Sequence, residues 1–186
     1  METRIFKDKK IKIRKPMKGD LRNVKKFQDF INSLIGEEAK ILFNKKFSLK
    51  EEKKWLEEQL QKIKSHKGVS LVAECDNKVI GTTGIDLRRG REMHVGEFGI
   101  TIRNGYRGIG LGKYLMKEII KLAKKELKPK PKIIRLGVYS INKPAISLYK
   151  KFGFKKSSQN PTANSIQRKI NWRNNNAFVF MSFDIL

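Results

Sequence analysis

The sequence predicts a single α/β domain, and three observations carry that reading. Its 186 residues are enough for one well-packed core. Runs with strand alternation and runs with helical period interleave along the chain. No repeat and no Pro-, Gly- or Ser-rich linker divides it, so residues 1–186 read as one unit with the order βααβββαβαββ.

IKIRK at 11–15 reads as the first strand, interrupted by Pro16. Gly19-Asp20 opens a helical pattern through Leu21, Val24, Phe27, Ile31 and Leu34, which breaks at Ile35-Gly36. A second helical stretch is expected at Ile41, Leu42 and Phe43. Ser48 and Glu51 then fit a capping box for SLKEEKKWLEEQLQKI, whose apolar face is Trp55, Leu56, Leu60 and Ile63. Residues 19–66 thus form a helical cover, with Trp55 packed beneath it. VSLVAE, the turn DNK and VIGTTGIDL form a hairpin, and VGEFGITI adds a third strand. A glycine loop and a long helix follow, ended by Pro129 and Pro131. IIRLGVYS is the next strand, and Asn142 with Pro144 starts a helix that Gly153 terminates. FKKSS, KINWRN and AFVFMSFDIL supply the final strands, the last a candidate for pairing across a homodimer.

A net charge of +25 permits binding to nucleic acid or to anionic ligands. The excess is mostly lysine and is spread along the chain, which reads as a surface bias rather than a reading module. One cysteine, Cys75, and two histidines make neither a disulfide nor a metal site, so no metal is expected. No apolar run is long enough for a membrane helix and no secretory signal is visible. The expectation is a cytoplasmic protein with no membrane partner and no requirement for nucleic acid.

YRGIGLGK, residues 106–113, carries most of the chemical information. Gly108, Gly110 and Gly112 let a phosphate approach the backbone, the N–H groups at the start of the following helix can bond it, and Arg107 can fork onto its oxygens. A triphosphate loop is excluded because position 107 is arginine and Tyr114, not Ser or Thr, follows Lys113. The dinucleotide fingerprint fails because Lys113 or Leu115 stands where its third glycine belongs.

Arg107, Gly110 and Gly112 resemble the acyl-CoA loop of the GNAT (GCN5-related) N-acetyltransferases. NKPAISLYKKFGF is similar to a second segment of that family through Asn142, Ala145, Leu148, Tyr149, Phe152, Gly153 and Phe154, and GEFGITI before the loop also matches. The likeness runs from about residue 11 to the end of the chain and is strongest over 94–156. It implies a central mixed, mostly antiparallel sheet flanked by helices, with acetyl-CoA as cosubstrate in a V-shaped opening between the fourth and fifth strands. Backbone groups around Ile100 and Ile102 would pair with the pantetheine arm. Those of Gly108, Ile109, Gly110, Gly112 and Lys113 would hold the pyrophosphate, and Asn142 would touch the cofactor.

Direct transfer of an acetyl group to a primary amine needs a neutral nucleophile and a proton donor for the departing thiolate. Tyr149 is the candidate acid, standing where the family's thiolate-facing tyrosine stands; the competing reading is a core aromatic. Glu97 is the candidate base, a carboxylate within an apolar strand that resembles the glutamate relatives use. Its competing reading is a surface carboxylate paired with a lysine. Glu37 and Glu38, between the first helices, are candidate acceptor-binding residues or surface charges.

The basic surface suits the phosphates of coenzyme A and counts against polyamines. A protein α-amine, neutral in roughly one molecule in ten at pH 7, is the favoured acceptor; small amines, amino acids and antibiotics are the alternatives. A ribosome- or nucleic-acid-associated binding protein and a non-catalytic acyl-CoA sensor are the remaining readings.

Overall fold

The computed structural model describes residues 2–157 and 178–185. Its strands are β1 (Glu2–Phe6), β2 (Lys9–Arg14), β3 (Gly68–Cys75), β4 (Lys78–Leu87), β5 (Val95–Ile102), β6 (Ile133–Tyr139), β7 (Lys155–Lys156) and β8 (Phe178–Asp184). Four α-helices connect them: α1 (Val24–Gly36), α2 (Leu49–Lys64), α3 (Leu111–Glu126) and α4 (Lys143–Lys151). The eight strands form one sheet in the order β1-β2-β3-β4-β5-β6-β8-β7. Among the described residues only β5 and β6 run parallel, and the other pairings are antiparallel.

Strand alternation assigns the two faces of the sheet. Val69, Leu71 and Ala73 of β3 join an apolar cluster with Leu111, Leu115, Met116 and Ile119 of α3. Val72 of the same strand packs with Val24, Phe27, Phe30 and Leu34 of α1 and Leu56 of α2. Covered on both faces, β3 is buried along almost its whole length rather than alternating. Each fully buried Leu, Ile or Phe in these clusters contributes on the order of 1.5–3 kcal/mol.

The reading above lacks β1. That strand is charged and exposed, and the turn that joins it to β2 places Lys7 at φ +55° without the Asn-Gly or Asp-Gly signature of a tight hairpin. Lys18–Arg22 is a short 3-10 turn rather than the first turn of α1, because Asp20 is drawn inward. The Arg14 guanidinium donates to both Asp20 oxygens at 2.8 and 2.7 Å and to Glu74 of β3 at 3.0 and 2.7 Å. Burial opposes the Arg14 charge, but its bonds to Asp20 and Glu74 outweigh that and raise its pKa.

The helix expected around Ile41 does not form. α1 ends at Gly36, Glu38 adopts φ +51°, and the Ala39 N–H bonds back to the Leu34 carbonyl. The segment 37–47 is instead an irregular strap, tied to α1 by reciprocal bonds between the Asn32 side chain and the Phe47 backbone at 2.9 and 2.8 Å. Ser48 and Glu51 do form the capping box of α2. β8 lies inside the sheet, paired with β6 along its length and with β7 at Ser182 and Met181. KINWRN lies outside the described residues. No helix among the described residues is long and apolar enough to cross a membrane.

Candidate active site

The glycine loop turns sharply to start α3. Gly108 and Gly110 sit at φ +73° and +92°, where an L side chain is strained. A Cβ at Gly108 would meet nothing within 4 Å, and one at Gly110 only Phe6 Cδ1 at 4.0 Å, so this backbone is open to a ligand. The N–H groups of Gly108, Ile109, Gly110, Leu111, Gly112 and Lys113 bond to no backbone acceptor among the described residues, leaving a converging set of donors at the positive end of a helix. At Gly112 a Cβ would come within 3.4 Å of Ile102 and 3.5 Å of Leu148, which shows how closely the first turn of α3 lies against β5 and α4.

Arg107 anchors this corner. Its Nε donates to the Ile102 carbonyl at 2.6 Å, and its guanidinium also pairs with Glu37 at the end of α1. Glu37 is thereby committed to the loop arginine. Glu38, held in its left-handed turn, is exposed, and neither residue lines the cavities described below. The acceptor role expected for this pair gains no support from the geometry, because Glu37 is paired with Arg107 and Glu38 borders neither cavity.

β5 and β6 pair only through Val95, Gly96 and Glu97 against Ile133, Ile134 and Arg135, and their ladder ends there. The Arg103 N–H bonds to Ile80 on β4, so by alternation the backbone groups of Ile100 and Ile102 face away from β4, toward the gap. The gap opens into a cleft of about 740 Å³. Its walls bring together Glu97, Ile100, Ile102, Arg107, Gly108, Gly110, Gly112, Lys113, Asn142 and Tyr149. Of the expected cofactor-side residues, Ile109 alone does not line it; it packs against the core.

Tyr149 is 7% exposed, stands edge-on to Phe98 with ring centroids 6.0 Å apart, and makes no side-chain hydrogen bond among the described residues. Burial pushes its phenol up to about 12. Asn142 caps α4, accepting from the Ala145 N–H at 3.3 Å, which leaves its amide NH₂ as a donor to the cleft. Glu97 is not buried: its side chain is 49% exposed and pairs with Arg88 at 3.3 Å. It lies where the strands part.

A second cavity of about 340 Å³ lies on the α1–α2 side of β5. Residues 97–101 and Phe43 border both cavities, so β5 is a shared wall and the strap crosses their junction. Phe27, Phe30, Phe47 and Trp55 line the smaller cavity with Glu52 and Asp86. Trp55, expected beneath the cover, stands at this cavity. Glu52 is 5% exposed, without an ion pair or side-chain hydrogen bond among the described residues, and burial pushes its carboxyl up to about 7. Sequence reasoning passed over Glu52. The available signal was a carboxylate one turn before Leu56 on the apolar stripe of α2.

Comparison with known proteins identifies the family and the fold. The sequence profile of the Acetyltransferase (GNAT) family matches residues 37–154. An L-amino acid N-acetyltransferase of Escherichia coli (strain K12) is 39% identical over 85 residues, which cover 45% of this chain and 51% of that protein. The chain therefore spans about half the length of this curated relative. A GNAT-family acetyltransferase from Streptococcus pneumoniae superposes with a TM-score of 0.74 at 24% identity, covering 94% of this chain and 99% of the other. A putative acetyltransferase from Salmonella typhimurium, solved with its cofactor acetyl-CoA, has a TM-score of 0.72 at 19% identity, covering 95% and 94%. At these identities the two structures show a shared fold.

Proposed function

Because this chain belongs to the acetyltransferase (GNAT) family, we propose that it moves an acetyl group from acetyl-CoA to the primary amine of a small molecule. One observation carries the reading: a phosphate-ready cleft and an aromatic-lined cavity meet along the same stretch of β5. That arrangement suits two substrates approaching one reacting centre from opposite sides, which replaces an encounter in solution by positioning.

The N–H groups at the start of α3, with Arg107, would hold the pyrophosphate of coenzyme A, and the outward edge of β5 at Ile100 and Ile102 would pair with its pantetheine arm. The amine attacks the thioester carbonyl, the C–N bond forms, and the C–S bond breaks with its electron pair left on sulfur. Glu97 takes the proton released from nitrogen, directly or through water. Tyr149 donates a hydrogen bond to the sulfur. With its phenol near 12, full proton transfer to a thiolate of pKa about 8.5 is uphill, so Tyr149 stabilises the developing charge rather than quenching it. The smaller cavity, at about 340 Å³, favours a small acceptor over a protein N terminus, and the small-molecule activity named for the E. coli relative supports the same choice.

The test is release of free thiol from acetyl-CoA in the presence of a panel of small primary amines and of short peptides with free α-amines. Saturable, amine-dependent release is expected. Tight acetyl-CoA binding without release toward any amine would convert the reading to a sensor. Steeply salt-dependent RNA binding without acetyl-CoA binding would replace it with a nucleic-acid-associated protein.

A further inference from the structure

We propose that Glu52 receives the ammonium group of the acceptor, and that the acceptor is an amine with an aromatic or branched aliphatic body and no carboxylate beside its nitrogen. This rests on the acetyltransferase reading and specifies its second substrate.

The cavity between the helical cover and β5 is an apolar chamber with acid in its walls. Phe27, Phe30, Phe47 and Trp55 supply ring faces and edges, suited to a hydrocarbon body and to a cation above a ring. Three carboxylates line the chamber: Glu52 from α2, Asp86 from β4 and Glu97 from β5. Asp86 is paired with Lys62 of α2 at 2.6 Å and Glu97 with Arg88 at 3.3 Å. Glu52 has no such partner among the described residues, and the second Asp86 oxygen, Oδ1, is also buried without one. A buried carboxylate without a partner is costly, and an incoming ammonium supplies the missing charge and donors. The high pKa of Glu52 is the mark of that unfilled demand.

No Lys, Arg or His is among the described residues that line this chamber, although the chain as a whole carries a net charge of +25. An α-amino acid would place its own carboxylate among three others, and the two cations that reach them, Lys62 and Arg88, are already paired with Asp86 and Glu97. The lining therefore selects against amino acids. Discrimination of this kind needs the repulsive element as much as the attractive one.

The test is calorimetric titration of the full chain, saturated with coenzyme A, with phenethylamine and with phenylalanine, which differ by one carboxylate. Glu52→Gln keeps the side chain's size and removes its charge. Phenethylamine is expected to bind the native protein at least tenfold more tightly than phenylalanine. Glu52→Gln is expected to weaken phenethylamine by roughly 10- to 100-fold while leaving the affinity for coenzyme A unchanged. Phenylalanine binding as tightly as phenethylamine, unaltered phenethylamine affinity in Glu52→Gln, or no phenethylamine binding to the native protein would each overturn the proposal. Thiol release is measured in parallel. Transfer to other amines without phenethylamine binding overturns the Glu52 assignment alone. Glu52-dependent binding without transfer overturns the acetyltransferase reading and leaves the ligand class standing.

Discussion

Replacing Tyr149 with phenylalanine removes one oxygen from the cleft wall. That hydroxyl makes no side-chain hydrogen bond among the described residues, so its loss orphans no partner. The ring keeps its contacts with Phe98 and Phe154, at centroid distances of 6.0 and 6.1 Å. The melting temperature should therefore stay within about 2 °C of the native value. A hydrogen bond to a charged atom contributes about 1.5–3 kcal/mol, and each 1.36 kcal/mol is a factor of ten in rate. Loss of that bond to the developing thiolate should lower kcat roughly 10- to 150-fold. Since the sulfur carries its charge only as the bond breaks, the affinity for acetyl-CoA should change by less than about twofold. Thiol release under saturating amine gives kcat, and calorimetry gives the affinity. An unchanged kcat would remove Tyr149 from the chemistry. A fall in kcat accompanied by a loss of ten degrees in melting temperature would assign it to the core instead.

Other parts of the molecule make separate predictions. Gly110→Ala places a side chain at φ +92°, a strain of about 1–2 kcal/mol, and crowds the open face of the loop; weaker acetyl-CoA binding, by roughly 5- to 30-fold, should appear in calorimetry with little change in kcat. Asp20→Ala leaves the Arg14 guanidinium, 8% exposed, with Glu74 as its remaining counter-charge, and should cost about 3–5 kcal/mol in urea denaturation. Burial raises Glu52 from 4.5 to about 7, so the folded chain holds this proton more tightly than the unfolded chain does. Its contribution is complete below pH 4.5 and is lost as pH rises through 7, by about 3 kcal/mol. Glu52→Gln should therefore be more stable than the native protein at pH 8, and parallel melting profiles from pH 4 to 8 would contradict the burial argument.

What sequence reading reached was set by how local each signal is. The phosphate-side loop was legible because glycine at positive φ and a helix start are written in consecutive residues, Gly108 to Leu111. The α2 boundary was legible because Ser48 and Glu51 satisfy each other across one turn. β1 was not, since a charged edge strand lacks both alternation and turn chemistry. The strap escaped because Ile41, Leu42 and Phe43 are apolar, and only the left-handed Glu38 and the bonds from Asn32 turn that segment away from a helix. Glu97 stood out as a carboxylate within an apolar strand, but only the folded sheet shows it half-exposed and paired with Arg88. Glu52 depends on tertiary closure: its position on the helix stripe was visible, but the chamber exists only once α1, the strap and β5 surround it.

The short ladder between β5 and β6 has a mechanical consequence. Three residue pairs join a five-stranded half-sheet to a three-stranded one, while the apolar cluster beneath continues across the seam. In sliding and prying terms this is one of the weaker lines of backbone hydrogen bonds among the described strands. A ligand that lies along the free edge of β5 and reaches Asn142 at the start of α4 rivets the two halves together. Saturating it at 100 times its dissociation constant adds about 2.7 kcal/mol to the folded state. Amide exchange should register that gain first at Ile100 and Ile102, so that the free and the loaded protein differ less in shape than in how firmly one crease is closed.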